Sequence, residues 1–171
     1  LRWSGRARYY KLDPPDAKED EKMSDLPTKI LLATDGSASS VEAARRAAGM
    51  AHAFGAELHV VHVMPVTQPY HLKGTDTEGP SLYEEDKQWA KELLDRQVRK
   101  FEEEGASVAK AYLRTGEPDA EVVALGEEIG ADMIVVGSRG KGRLRRPIGS
   151  VSSSIVAHAH CPVLVVRGGA V

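Results

Sequence analysis

Cys161 is the chain's single cysteine, so no intramolecular disulfide can form and the sequence suits a reducing compartment, the cytoplasm. Aromatic residues are few, and the basic stretch from Arg139 to Arg146 contains none, which makes it a poor stacking platform for nucleic acid. Basic and acidic residues nearly cancel, at 23 against 25, so bulk charge gives no reason to expect a nucleic-acid partner. No apolar run approaches the roughly 20 residues that cross a bilayer, and no membrane association is expected. Familiar phosphate and nucleophile patterns are missing as well. Gly137 to Gly142 has the glycine spacing of a P-loop, yet Arg143 and Leu144 occupy the places of its Lys and Ser/Thr. The pattern G-x-G-x-x-G is absent, and so is the G-x-S-x-G of a nucleophile elbow.

What is present points to phosphate by another route. The apolar run Met133-Ile134-Val135-Val136 leads into Gly137-Ser138-Arg139-Gly140-Lys141-Gly142-Arg143, and Gly149-Ser150-Val151-Ser152 then opens a segment with helical spacing. Glycines let the backbone approach closely, successive amide N–H groups converge on an anion, and a helix N-terminus adds partial positive charge. Arg139, Lys141, Arg143, Arg145 and Arg146 bring cations to the same stretch. Loops of this composition also occur as plain solvated turns, so the loop alone leaves both readings open.

At 171 residues the chain fits one domain with a proper core. Lys29 to Thr34 reads as a buried strand closed by Asp35-Gly36. Ser39-Ser40-Val41-Glu42 matches a capping box, and Val41, Ala44, Ala48, Ala51 and Phe54 recur at helical spacing up to Gly55. Leu58 to Met64 is a second strand, and residues 65 to 80 form a long loop. The longest helix, about Ser81 to Glu104, is expected to turn Trp89, Leu93, Val98 and Phe101 to the core. Val108 to Leu113 makes a third strand, Pro118 opens a helix through Ile129, and Asp132 to Val136 is a fourth strand. A helix from about Ser150 to His158 leads to a fifth, Val163 to Val166. Continuously apolar strands alternating with helices predict a doubly wound, Rossmann-like α/β domain, its parallel five-stranded sheet covered on both faces. The order 3-2-1-4-5 puts the switch point between strands one and four, where the loops beginning at Asp35 and Gly137 meet.

Residues 1–24 differ in character from the domain at 25–171. Leu1 to Lys11 is basic, Asp13 to Glu21 is acidic around Pro14-Pro15, and nothing repeats helically. They are expected to form a mobile extension, with translation starting at Met23.

Several of these segments together resemble the universal stress protein family. Ile30-Leu31-Leu32-Ala33-Thr34-Asp35-Gly36-Ser37 is similar to its opening strand and Leu58-His59-Val60-Val61-His62-Val63 to its second. Val135 to Gly140, Gly149-Ser150-Val151-Ser152 and His160-Cys161-Pro162-Val163-Leu164-Val165-Val166 are similar to its C-terminal signature. The likeness runs from about Thr28 to Arg167. It implies a five-stranded α/β domain, a homodimer through the last strand, and in one branch of the family the binding of ATP, with Mg or Mn on the phosphates. Carried over, the binding set is Ala33, Asp35 and Val63 around the nucleoside. Gly137, Ser138, Arg139, Gly140, Lys141, Arg143, Gly149, Ser150, Val151 and Ser152 surround the phosphates. One departure stands out. The ATP pattern is G-x-x-G, nine residues, then G-[S/T], and here eight residues, Lys141 to Ile148, separate Gly140 from Gly149. Losing one residue can move that end of the site by up to about 3.5 Å, enough to break hydrogen bonds.

The leading expectation is therefore an ATP-binding stress-adaptation protein that works by recognition, nucleotide occupancy changing which partner it meets. A second is a dimerisation module of the same family whose shortened loop spoils the site. A third is slow ATP hydrolysis with Asp35 orienting a water or a cation, although no catalytic constellation is visible. His158, His160 and Cys161 offer at most three ligands, and Cys161 is expected to pack inward as a small apolar residue, so no metal site is assigned. His59 and His62 have opposite parity; His62 is expected at a strand end with its hydrogen bond satisfied.

Overall fold

Apolar side chains at successive positions can all be buried only if a strand is covered on both faces, and that dictates the architecture here. The computed structural model describes residues 26–65, 82–140 and 148–168. The extension expected at 1–24, most of the loop expected at 65–80, and the basic side chains from Lys141 to Arg146 lie outside those residues.

Among the described residues five strands alternate with four helices: β1 (Lys29–Ala33), α1 (Ala38–Phe54), β2 (Glu57–Met64), α2 (Leu82–Glu103), β3 (Val108–Thr115), α3 (Pro118–Ile129), β4 (Met133–Gly137), α4 (Ser150–His158) and β5 (Val163–Val166). All pairings are parallel, in the order β3-β2-β1-β4-β5. Central β1 is held on both sides, Leu31 opposite His59 of β2 and Ile134 of β4.

Alternation along the strands divides the interior into two cores. Ile30, Leu32, Val60 and Val135 pack with Leu94 and Phe101 of α2 and with the alanines of α1. Leu31, Val61, Val63 and Ile134 pack with Val122 and Leu125 of α3 and Ile155 of α4. Ala43, Ala44, Ala47 and Ala51 make the buried stripe of α1, and their small side chains allow that helix to lie close on the sheet.

Two local expectations are corrected. Helix α1 starts earlier than the proposed capping box: Ser37 is the N-cap and its hydroxyl accepts from the Ser40 N–H at 3.3 Å. Trp89 is not in the core, being 55% exposed, while Ala90, Leu94, Gln97 and Phe101 form the buried face of α2. Phe101 is buried as expected and Val98 packs against the core, while Trp89 and Leu93 give way to their neighbours Ala90 and Leu94, and the buried face also takes in Gln97. Strand β3 also continues beyond Leu113 to Thr115, pairing Met64 with Thr115.

Candidate functional site

Strands β1 and β4 lie side by side, and their connections leave to opposite faces of the sheet, β1 into α1 and β4 into α4. Among the described residues no crossover covers the crevice between their carboxyl ends. A cavity of about 500 Å³ opens there. Its floor is formed by Ala33, Val61, Val63 and Val136 at the strand ends, and Pro118, Val122 and Ile155 make an apolar side wall from α3 and α4. Asp35, Gly137, Arg139, Gly140, Gly149 and Ser150 supply a polar rim. Apolar depth with a few convergent polar groups is the general character of a small-ligand site.

The rim is built by short-range chemistry. Asp35 lies two residues beyond β1, and its Oδ1 accepts from the Ser37 N–H at 2.9 Å, an Asx turn that orients the carboxylate. Its Oδ2 faces Gly140, where a Cβ would come within 2.7 Å. A side chain at this position would crowd the carboxylate, and glycine does not. Gly137 is constrained differently: a Cβ there would meet the Ser39 Oγ at 2.6 Å. Across the cavity Gly149 caps α4 with no side-chain hydrogen bond of its own, so among the described residues the N-cap leaves the first N–H groups of that helix to an outside acceptor.

The residues that flank the shortened connection are bonded to each other. The Gly149 N–H donates to the Ser138 carbonyl at 2.7 Å, and the Ser152 hydroxyl reaches the same carbonyl at 3.2 Å. The start of α4 is thus tied to the end of β4 although eight residues, rather than nine, separate Gly140 from Gly149. Ser138 itself is buried, donating its N–H to the Val166 carbonyl at 2.7 Å; it supports the rim from beneath and does not line the cavity. Of the remaining expected residues, Ala33, Val63, Val151 and Ser152 line the cavity, while Lys141 and Arg143 lie outside the described residues.

The histidines separate cleanly. His62 lines the cavity and donates from Nδ1 to the Thr34 carbonyl at 2.8 Å, the satisfied strand-end role expected for it. His59 lies away from the cavity between the Tyr112 hydroxyl and the Glu57 carboxylate, both at 3.1 Å. His158 and His160 each spend a ring nitrogen on a backbone carbonyl, of Ser154 at 2.8 Å and of Ala131 at 3.1 Å. Cys161 packs beside the second core, and burial pushes its thiol pKa up, which suits an inert thiol. Among the described residues no three His, Cys, Asp or Glu side chains gather as a metal site, and no helix is long and apolar enough to cross a membrane.

The profile of the universal stress protein family matches residues 27–167, the sheet and the cavity together. The chain belongs to the universal stress protein family. A universal stress protein of Methanocaldococcus jannaschii is 38% identical over 142 residues, covering 81% of each chain. Two solved structures share the fold and were determined with adenine nucleotides. One universal stress protein in complex with cAMP superposes with a TM-score of 0.64 at 25% identity, over 84% of this chain and 99% of that one. A universal stress protein from Archaeoglobus fulgidus in complex with dAMP gives a TM-score of 0.61 at 28% identity, over 82% and 98%.

Several cavity residues of this universal stress protein escaped the sequence reading: Thr34, Ser40, Pro65, Trp89, Pro118, Val122 and Ile155. Pro118 carried a usable signal, since a proline opening the helix after β3 must sit at the carboxyl edge of the sheet. Trp89 carried none, because its place at the cavity mouth depends on how α2 crosses the sheet.

Proposed function

We propose that this universal stress protein binds an adenine nucleotide, ATP foremost, and acts through the bound state in stress adaptation. The observation that carries the reading is one cavity with two chemically distinct ends. Val61, Val63, Val122 and Ile155 offer an apolar slot for a base, while Asp35, Gly137, Gly140, Gly149 and Ser150 line a rim suited to ribose and phosphates. The Asp35 carboxylate accepts from sugar hydroxyls, and the N–H groups at Gly140 and at the start of α4 donate to phosphate oxygens. Arg139, Lys141 and Arg143 add cationic side chains around the phosphates, and Ala33, Ser138, Val151 and Ser152 complete or support the walls. Gly140 and Gly137 supply the fit: side chains there would fill the approach from Asp35 and Ser39. A Mg or Mn ion carried on the phosphates would offset their charge. Family members solved with cAMP and dAMP support adenine as the base.

The reading extends to a cytoplasmic homodimer. Among the described residues strand β5 ends the sheet, paired only to β4, and Val163, Leu164 and Val165 are partly buried in the single chain. A second copy pairing there would cover an otherwise open strand edge. Light scattering on purified protein should then give twice the chain mass.

The deciding experiment is to denature purified protein and identify any released nucleotide, then titrate nucleotide-free protein with Mg-ATP by calorimetry. Released adenine nucleotide, or saturable heat abolished by Gly140→Val, is the expected result. Neither carried nucleotide nor heat at millimolar ATP would overturn it and leave the dimerisation module as the function.

A further inference from the structure

We infer that Ser37 and Ser39 are positioning residues, whose hydroxyls set the peptide between Arg139 and Gly140 so that its N–H faces the phosphate end of the cavity; this rests on the nucleotide reading above. The carbonyl of Arg139 receives two hydroxyls from the start of α1. Ser37 Oγ donates to it at 3.1 Å, and Ser39 Oγ donates to it as well. Each serine has one hydrogen and the carbonyl has two lone pairs, so both bonds form at once. Ser39 Oγ in turn accepts from the Arg139 N–H at 3.4 Å, gripping that residue by both backbone groups. Ser39 is buried, and a Cβ at Gly137 or at Gly168 would come within 2.6 Å or 3.4 Å of it, so glycines leave it its place.

The direction of the peptide follows. In a trans peptide the N–H points opposite to the C=O. Neither Ser37 nor Ser39 lines the cavity, whereas Arg139 and Gly140 do. Turning the carbonyl toward α1 therefore turns the Gly140 N–H toward the cavity side. The preceding carbonyl, of Ser138, is likewise taken up, by the Gly149 N–H and the Ser152 hydroxyl. Carbonyl oxygens are drawn away from the place an anion would occupy. A flip of the Arg139–Gly140 peptide would put a partial negative charge where phosphate must sit, and two hydroxyls oppose that flip.

The test uses the full chain with Ser39→Ala, and Ser37→Gly as the second variant, since glycine is well tolerated at an N-cap. Two readouts are needed. In nucleotide-free protein the Gly140 amide resonance should shift or broaden in either variant. By calorimetry ATP affinity should fall about tenfold, the scale of one hydrogen bond lost, while adenosine affinity stays unchanged. A merely structural role would weaken ATP and adenosine together, and that result would overturn the proposal. So would a Gly140 amide that does not move in either variant. Wild-type protein that binds neither ATP nor adenosine would overturn the nucleotide reading instead, and the Gly140 amide would still decide whether the serines set the peptide.

Discussion

A Cβ placed on Gly140 would stand 2.7 Å from Oδ2 of Asp35. The two residues belong to loops about a hundred positions apart in sequence, brought together because β1 and β4 are neighbours. The gap between them is the polar entrance of the cavity. Gly140→Val should therefore reduce ATP affinity at least tenfold by calorimetry. Gly140 is exposed and its φ is not positive, so the melting temperature should hardly change. Undiminished affinity would mean that the nucleotide does not pass between these loops.

Trp89 gives the cavity a reporter. It is 55% exposed on α2 yet lines the same cavity as Val63 and Pro118. Indole emission responds to an aromatic base packed nearby. In a Trp3→Phe background, Mg-ATP should change the emission along a saturable curve whose midpoint matches calorimetry, and Trp89→Phe should abolish the signal. Calorimetric binding with constant emission would place the base away from α2.

The acid limb of stability is tied to Asp132. Its carboxylate accepts from the Thr28 hydroxyl at 2.7 Å, the Thr28 N–H at 2.8 Å and the Lys29 N–H at 3.0 Å. These bonds, the Thr28 hydroxyl foremost, hold its pKa below the usual carboxylate range. A carboxylate depressed in the folded state stabilises fully above its unfolded pKa, about 3.9, and that contribution is lost as pH falls through the folded value. Asp132→Ala should thus lower the melting temperature near neutral pH, with the gap to wild type closing below about pH 4. A gap that stays constant into acid would show that ionisation of Asp132 has no part in it.

How much of this was legible beforehand depended on the range of the cause. Strands such as Leu31–Leu32 and Val135–Val136 announce themselves because a doubly buried strand has no polar alternation to hide it. The doubly wound reading with the order 3-2-1-4-5 matches the observed sheet, and Gly137, Gly140 and Gly149 all line the rim. The phase of α2 did not show, because the buried face contains Gln97, a residue that reads as solvent-facing. The capping serine was misplaced by two positions because Ser37, Ser39 and Ser40 are locally equivalent; the fold separates them by giving Ser37 and Ser39 the Arg139 carbonyl and Ser40 a contact with Thr34. Apolar walls such as Val122 and Ile155 read only as core, since nothing local says that a core ends in a cavity.

Gln97 itself offers a separation of polar from packing energy. Its Oε1 accepts from the Thr34 hydroxyl at 2.6 Å, while its buried Nε2 has no hydrogen-bond partner among the described residues. A buried orphan donor costs about 1–3 kcal/mol, and the bond on the other side returns about 1 kcal/mol. Methionine has nearly the same length and neither polar atom, and Thr34 can turn to the Ser40 hydroxyl, already 3.2 Å away. Gln97→Met should consequently lie within about 1 kcal/mol of wild type in urea denaturation, or above it. Gln97→Ala should lose about 2 kcal/mol or more, because it leaves a cavity beside Leu94 and Phe101. If both variants lose the same amount, the Thr34 hydrogen bond outweighs the orphan amide, and α2 is held to the end of β1 by polarity rather than by packing.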